Sequence, residues 1–227
     1  DQLRNLINDL QSLTTDNPGI PPLFISVDQE GGRVARLGAP FTQFPPMSCL
    51  GQADSNELAY RFGLGMGKEL RAVGVNMDYA PVLDVHSNLA NPIIGHRALD
   101  SDAKKVARLG AELIRGFYDA GVIPVGKHFP GHGDTSQDSH FMLPRVERTR
   151  ESLEQIELIP FSHAIEQGLE VLMTAHVVYP SWDADRPATF SPAILNDVLR
   201  NSLCFEGLIM SDDLEMQAVE DKLESIP

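Results

Sequence analysis

Residues 126–140 read Gly-Lys-His-Phe-Pro-Gly-His-Gly-Asp-Thr-Ser-Gln-Asp-Ser-His and gather one lysine, three histidines and two aspartates into one segment. Asp138 and His140 are two apart, so an extended chain projects them to the same side. A carboxylate beside an imidazole fixes its tautomer and stabilises its protonated form, which makes a dyad able to give and take a proton near neutral pH. Ser211-Asp212-Asp213 lies far downstream, after the apolar run 207–210. Asp212 has no lysine or arginine beside it in sequence and could act as a free carboxylate nucleophile. Ser211 is a poorer candidate, because no Gly-x-Ser-x-Gly elbow surrounds it. His128, His132, Asp134, Asp138 and His140 are also zinc-ligand types. A pair spaced like His128 and His132 converges on a metal only when helical, and Pro130 and Gly131 interrupt it, so neither a metal nor another cofactor is expected.

These groups need a scaffold. Apolar runs at 23–27, 75–79, 122–125, 171–175 and 207–210 read as buried strands. They are followed by Asp28-Gln29-Glu30-Gly31-Gly32-Arg33, by Asp84, by Lys127 and His128, by His176 and by Asp212. Helical patterns alternate with them at 56–73, at 103–119 with Gly121 as a stop, and at 148–167 with a kink or break at Pro160. Ser191-Pro192, a cap followed by proline, opens a further helix to about residue 201. Such alternation predicts a parallel sheet with crossover helices. A doubly wound open sheet would carry a glycine-rich loop at a strand end. Gly63, Gly65 and Gly67 lie inside a helical pattern instead, where close helix packing explains them. Polar residues at five different strand tips favour a (β/α)8 TIM-barrel-like fold. One domain over 1–227 is expected, with no linker or repeat.

The 227 residues carry a net charge of −14 and a pI near 4.8, with 42% hydrophobic residues. An acidic surface repels phosphate backbones, which argues against a nucleic-acid partner. No apolar run is long enough to span a bilayer. Cys49 and Cys204 have no metal-type spacing and read as two free thiols. Residue 1 already sits in a helical pattern, with Leu3, Leu6, Ile7 and Leu10 on one face.

The segments Lys127-His128-Phe129-Pro130-Gly131-His132-Gly133 with Asp138-Ser139-His140, Val27-Asp28-Gln29-Glu30-Gly31-Gly32-Arg33-Val34-x-Arg36, and Ser211-Asp212-Asp213-Leu214 resemble glycoside hydrolase family 3. The likeness is strongest to its bacterial β-N-acetylglucosaminidases of peptidoglycan recycling. The resemblance implies a (β/α)8-like barrel, here an incomplete fragment lacking terminal strands. It implies Asp212 as covalent nucleophile, His140 as acid/base with Asp138 orienting it, and Asp28, Arg36, Arg97, Lys127 and His128 as sugar-binding residues. It further implies a small carbohydrate substrate such as an N-acetylglucosaminyl muropeptide or chitooligosaccharide, a cytoplasmic location, and a monomer when full-length. Gly95-His96-Arg97-Ala98-Leu99 departs from the family's Arg-Ser-Phe but keeps the arginine. Most retaining glycosidases use two carboxylates, so a histidine acid/base marks a subgroup.

Other readings stay open at this level. A histidine acid/base does not repel incoming phosphate, so a phosphorylase fits the same residues. A general β-glycosidase and a non-catalytic sugar-binding fragment fit the fold. His132 reads as a loop-holding residue, His176 as either a site residue or a satisfied core histidine, and Asp213 as a hydrogen-bonding neighbour of the nucleophile. Trp182 could stack on a sugar. Met66, Met77 and Met173 read as core filling.

Overall fold

All five apolar runs become parallel strands in sequence order in a computed structural model, which describes residues 1–15, 19–136 and 143–219. In chain order the elements are α1 (Gln2–Thr15), β1 (Ser26–Val27), α2 (Met47–Ala53), α3 (Asn56–Val73), β2 (Met77–Asp78), α4 (Ala103–Asp119), β3 (Ile123–Pro124), β4 (Gly126–Phe129), α5 (Arg150–Gln155), α6 (Leu158–Glu166), β5 (Val171–Thr174), β6 (Val178–Tyr179), β7 (Asp183–Pro187) and β8 (Leu208–Ser211). A π-helix, Ala193–Ser202, connects β7 to β8. The parallel order runs β1-β2-β3 and then β4-β5-β8, and a bridge from Val82 to Lys127 joins the two groups. Strands β6 and β7 form a separate antiparallel hairpin. Among the described residues the sheet does not close: β1 and β8 are its outermost strands.

The strands β1 and β2 are shorter than their apolar runs because side chains replace part of the ladder. The Asn76 amide oxygen accepts from Ile25 N at 2.7 Å, and its nitrogen donates to Leu23 O at 2.9 Å. The run at 122–125 continues past its expected end. Gly126–Phe129 is strand β4, and the loop begins at Pro130.

Helices α3 and α4 match the patterns at 56–73 and 103–119. Ser55 Oγ caps the first, accepting from Leu58 N, and the Asp102 carboxylate caps the second, accepting from Lys104 N and Lys105 N. They cross closely through glycine. A Cβ on Gly63 would lie 2.4 Å from Leu113 O, and one on Gly116 would lie 2.3 Å from Tyr60 O. Gly65 meets nothing closer than Phe44 at 3.7 Å, so the packing explanation covers Gly63 and not Gly65. The break expected at Pro160 falls instead between α5 and α6. Pro160 sits in the first turn of α6, where a missing N–H costs no hydrogen bond.

Methionines 66, 77 and 173 are buried, and the last two pack with Val125 and Val171 on one face of the strands. A second cluster lies between the strands and α6, where Phe129 and Phe161 meet edge to face at 5.4 Å. The apolar face of α1 departs from expectation: Ile7 is buried against Gly74, while Leu6 and Leu10 stay exposed. Cys49 and Cys204 are free. No helix among the described residues is long and apolar enough to cross a membrane.

Candidate active site

Strands β1, β4 and β8 carry polar groups in or just after them that meet at one cavity. Asp28 follows β1, Lys127 and His128 lie in β4, and Asp212 follows β8. Together with Arg36, Arg97 and His132 they line a cavity of about 310 Å³. Ligand pockets run from roughly 300 to 1,000 Å³, so this one suits a single small ring and not a long chain.

One side of the cavity is a buried ion cluster. Glu30 Oε1 lies 2.7 Å from Lys127 Nζ, and Arg97 donates to both Glu30 oxygens at 2.8 Å. Lys127 also reaches Asp28 Oδ1 at 2.9 Å. Glu30 and Lys127 have side chains only 1% and 2% exposed. Burial alone would push the Glu30 carboxyl up, yet Lys127 and Arg97 outweigh it and hold the group down to about 2. Burial likewise opposes the Lys127 charge, and Glu30 with Asp28 raises its affinity for the proton. The cluster therefore presents fixed donors on Lys127 and Arg97 and an acceptor on Asp28, a pattern that matches vicinal hydroxyls. Arg36 stays mostly exposed at the rim, 4.0 Å from Asp28.

Gln29 sets the loop that carries this cluster. Its buried amide oxygen accepts from Arg36 N and Leu37 N, at 2.8 and 3.1 Å. Its own N–H donates to Asp78 Oδ1 at 3.0 Å. Asp78 is fully buried and its other oxygen has no hydrogen-bond partner among the described residues. Burial dominates there and pushes the Asp78 carboxyl well up, against the Gln29 bond and the Lys127 charge.

The other side of the cavity is the loop after β4. Asp84, fully buried, receives His128 Nδ1 at 2.7 Å on one oxygen and the backbone N–H groups of His128 and His132 on the other, at 3.2 and 2.7 Å. Burial works against its charge, and His128 with these bonds holds the carboxyl below the ordinary range. Asn91 Nδ2 clamps the loop through His132 O and Gly133 O. Two glycines are required by contact: a Cβ on Gly131 would lie 2.8 Å from Glu157, and one on Gly133 would lie 1.6 Å from Val85 O. His132 holds the loop, with Nδ1 2.9 Å from Thr135 Oγ1. Burial and the neighbouring His128 push its pKa down to about 4, so it is neutral. Beneath the loop, Glu157 accepts from Ser87 Oγ at 2.7 Å, and burial pushes its carboxyl up to about 8.

Asp212 sits opposite both groups. Its backbone N–H donates to Thr174 O at 3.2 Å, and its carboxylate accepts from Asp213 N at 2.9 Å. Burial opposes its charge, but His128, the Asp213 N–H, His176 and Lys127 together lower its pKa, so the group is an anion. His176 is buried behind it, with Nε2 2.9 Å from Asp213 O and Nδ1 2.8 Å from Thr189 Oγ1. Trp182 packs on Tyr179 and does not line the cavity.

The structure thus brings together Asp28, Arg36, Arg97, Lys127, His128 and Asp212. Asp138 and His140 lie outside the described residues. Sequence reasoning placed Gln29, Glu30 and Asp84 at strand ends without giving them a role, and passed over Asn91 and Glu157. Glu30 stood inside a quoted motif. Nothing in the sequence marked the partners of Asp84 or Glu157, which lie 44 to 70 residues away.

Comparison with known proteins follows the same lines. The family described as "Glycosyl hydrolase family 3 N terminal domain" matches residues 1–225. A β-hexosaminidase of Nitrosospira multiformis is 44% identical over 221 residues, covering 95% of this chain and 61% of that protein. A glycoside hydrolase family 3 β-N-acetylglucosaminidase from Paenibacillus sp. str. FPU-7 superimposes with a TM-score of 0.94 at 46% identity, covering 97% of this chain and 42% of the other. NagZ from Neisseria gonorrhoeae in complex with N-trifluoroacetyl-D-glucosamine gives 0.88 at 37% identity, covering 98% and 66%. The chain spans about three fifths of the length of the Nitrosospira relative.

Proposed function

This chain belongs to glycosyl hydrolase family 3, and from that premise we propose that it carries the site of a retaining β-N-acetylglucosaminidase. The terminal sugar would occupy the cavity, with Asp28, Lys127, Arg97 and His128 binding its hydroxyls and Arg36 at the rim. Asp212 attacks the anomeric carbon while His140, oriented by Asp138, gives its proton to the leaving oxygen. The bond to the aglycone breaks as the glycosyl–Asp212 ester forms. His140 then takes a proton from water, whose oxygen displaces Asp212 and restores the carboxylate.

The observation that carries this reading is the ionised Asp212 carboxylate facing the Asp28–Lys127–Arg97–His128 group across a cavity of single-ring size. The relatives named β-hexosaminidase and the neighbour holding a glucosamine derivative support a 2-acetamido sugar. For the natural substrate we propose N-acetylglucosaminyl muropeptides.

The test is release of the aryl group from an aryl β-N-acetylglucosaminide, with and without phosphate. Turnover independent of phosphate and nearly abolished in Asp212→Ala is the expected result. A strict need for phosphate, with a sugar 1-phosphate as product, would make the protein a phosphorylase. Equal rates on the aryl glucoside would make it a general β-glycosidase, and sugar binding without turnover would leave a binding site only.

A further inference from the structure

His128 faces the cavity through a ring whose two nitrogens have different partners. Nδ1 lies 2.7 Å from Asp84 Oδ2, and the side chains are 6% and 0% exposed. Nε2 lies 3.4 Å from Arg97 Nη2. A guanidinium nitrogen only donates, so Nε2 must be the acceptor and the ring proton must sit on Nδ1. Arg97 is itself locked onto Glu30 by two bonds and cannot turn away to make room for a second donor.

We propose that Asp84 is a positioning residue for this site: it holds the proton of His128 on Nδ1, so that the single Nε2 lone pair, engaged by Arg97 only through a long 3.4 Å contact, passes to a hydroxyl of the bound sugar. The claim about the sugar rests on the functional reading above; the claim about the ring does not. In this arrangement Lys127 and Arg97 donate while Asp28 and His128 accept. The site can therefore satisfy hydroxyls in both of their roles, as donor and as acceptor. A His128 ring protonated on Nε2 would set N–H against N–H at Arg97 and remove one of the two acceptors.

Asp84 is suited to a clean test because its other oxygen is already committed. Oδ1 accepts the backbone N–H groups of His128 and His132. In Asp84→Asn the amide oxygen must keep those two donors, so the amide NH₂ is forced to face Nδ1. That inverts the tautomer without deleting the loop's anchor. A reversal of ring protonation is an effect that a merely structural prop would not produce.

The experiment is ¹⁵N NMR of the imidazoles of the whole chain, with the His128 signals assigned by their loss in His128→Gln, together with N-acetylglucosamine binding. In the native protein the expected result is a protonated Nδ1 and a bare Nε2. In Asp84→Asn the protonation reverses and binding weakens about tenfold, the scale of one hydrogen bond replaced by an opposed donor. In a His128→Gln background, Asp84→Asn should change binding by less than about twofold, since its effect passes through the ring. A native ring protonated on Nε2 overturns the proposal even if the variant does not fold. So does an unchanged tautomer in Asp84→Asn, or an equal loss of binding with His128 absent. If the tautomer reverses but no form binds N-acetylglucosamine, the role of Asp84 stands and the sugar reading falls.

Discussion

Glu30 and Glu157 are the same side chain at nearly the same depth, 1% and 0% exposed, on opposite sides of one site. Their protonation is opposite. Glu30 has Lys127 and Arg97 within 2.8 Å and is held down to about 2. Glu157 has one hydroxyl, from Ser87, and an oxygen with no partner among the described residues, and it is pushed up to about 8. Depth therefore does not set the charge of a buried carboxyl here; the number of cations in contact does. The contrast divides the site into two parts. The β1 side is a rigid ionic frame that presents hydroxyl-binding groups. The described part of the loop after β4 is held mainly by hydrogen bonds, with Asp84 as a buried anion bound to His128 and an ion pair from Asp134 to Arg148 nearer the surface.

Removing Glu30 should produce the largest effect. Glu30→Ala leaves Lys127 and Arg97 buried without their shared anion, and a loss of about 3–5 kcal/mol is expected for breaking such a pair from one side. Urea unfolding monitored by tryptophan fluorescence measures it, and a loss below about 1 kcal/mol would break the contrast. The pH dependence has a definite sign. Because the folded pKa of Glu30 lies below its ordinary 4.5, its contribution is complete above that value and is lost as pH falls towards 2.

Glu157 should behave in the opposite sense, with an effect that vanishes in mild acid. Its folded pKa is raised, so its contribution is complete below about 4.5 and is lost as pH rises through about 8. Glu157→Gln keeps an acceptor for Ser87 and removes the titration. The variant should be more stable than the native protein by about 2 kcal/mol at pH 6 and about 4 kcal/mol at pH 8, and close to it at pH 4.5. Melting temperatures across that range make the comparison. Parallel curves for the two proteins would mean that Glu157 is ionised in the fold.

The same two regions show what could be read before the structure. Strand tips were legible because each apolar run ends abruptly in polar residues, and α3 and α4 were legible from their apolar periodicity. Asp28, Lys127 and Asp212 stood out because a charge directly after a buried strand has no packing reason to be there. Asp84 also followed an apolar run, but its value lies in His128 and His132, on another strand, and periodicity carries no such pairing. Glu157 lies in a helical stretch whose pattern would place an ordinary solvated glutamate there; only tertiary packing puts it under Gly131. Pro160 misled for a related reason: the proline is a helix breaker in mid-helix and an acceptable first-turn residue, and the choice depends on where the preceding helix ends.

The central claim is that Asp212 forms a covalent bond to the sugar. A slowly hydrolysed fluorinated N-acetylglucosaminyl fluoride, followed by proteolysis and mass spectrometry of the 207–216 region, tests it most directly. The account predicts one sugar per chain, bound to Asp212 as fluoride leaves and absent in Asp212→Ala. A label on Asp213, or turnover of an aryl N-acetylglucosaminide with no label on any residue, would contradict it.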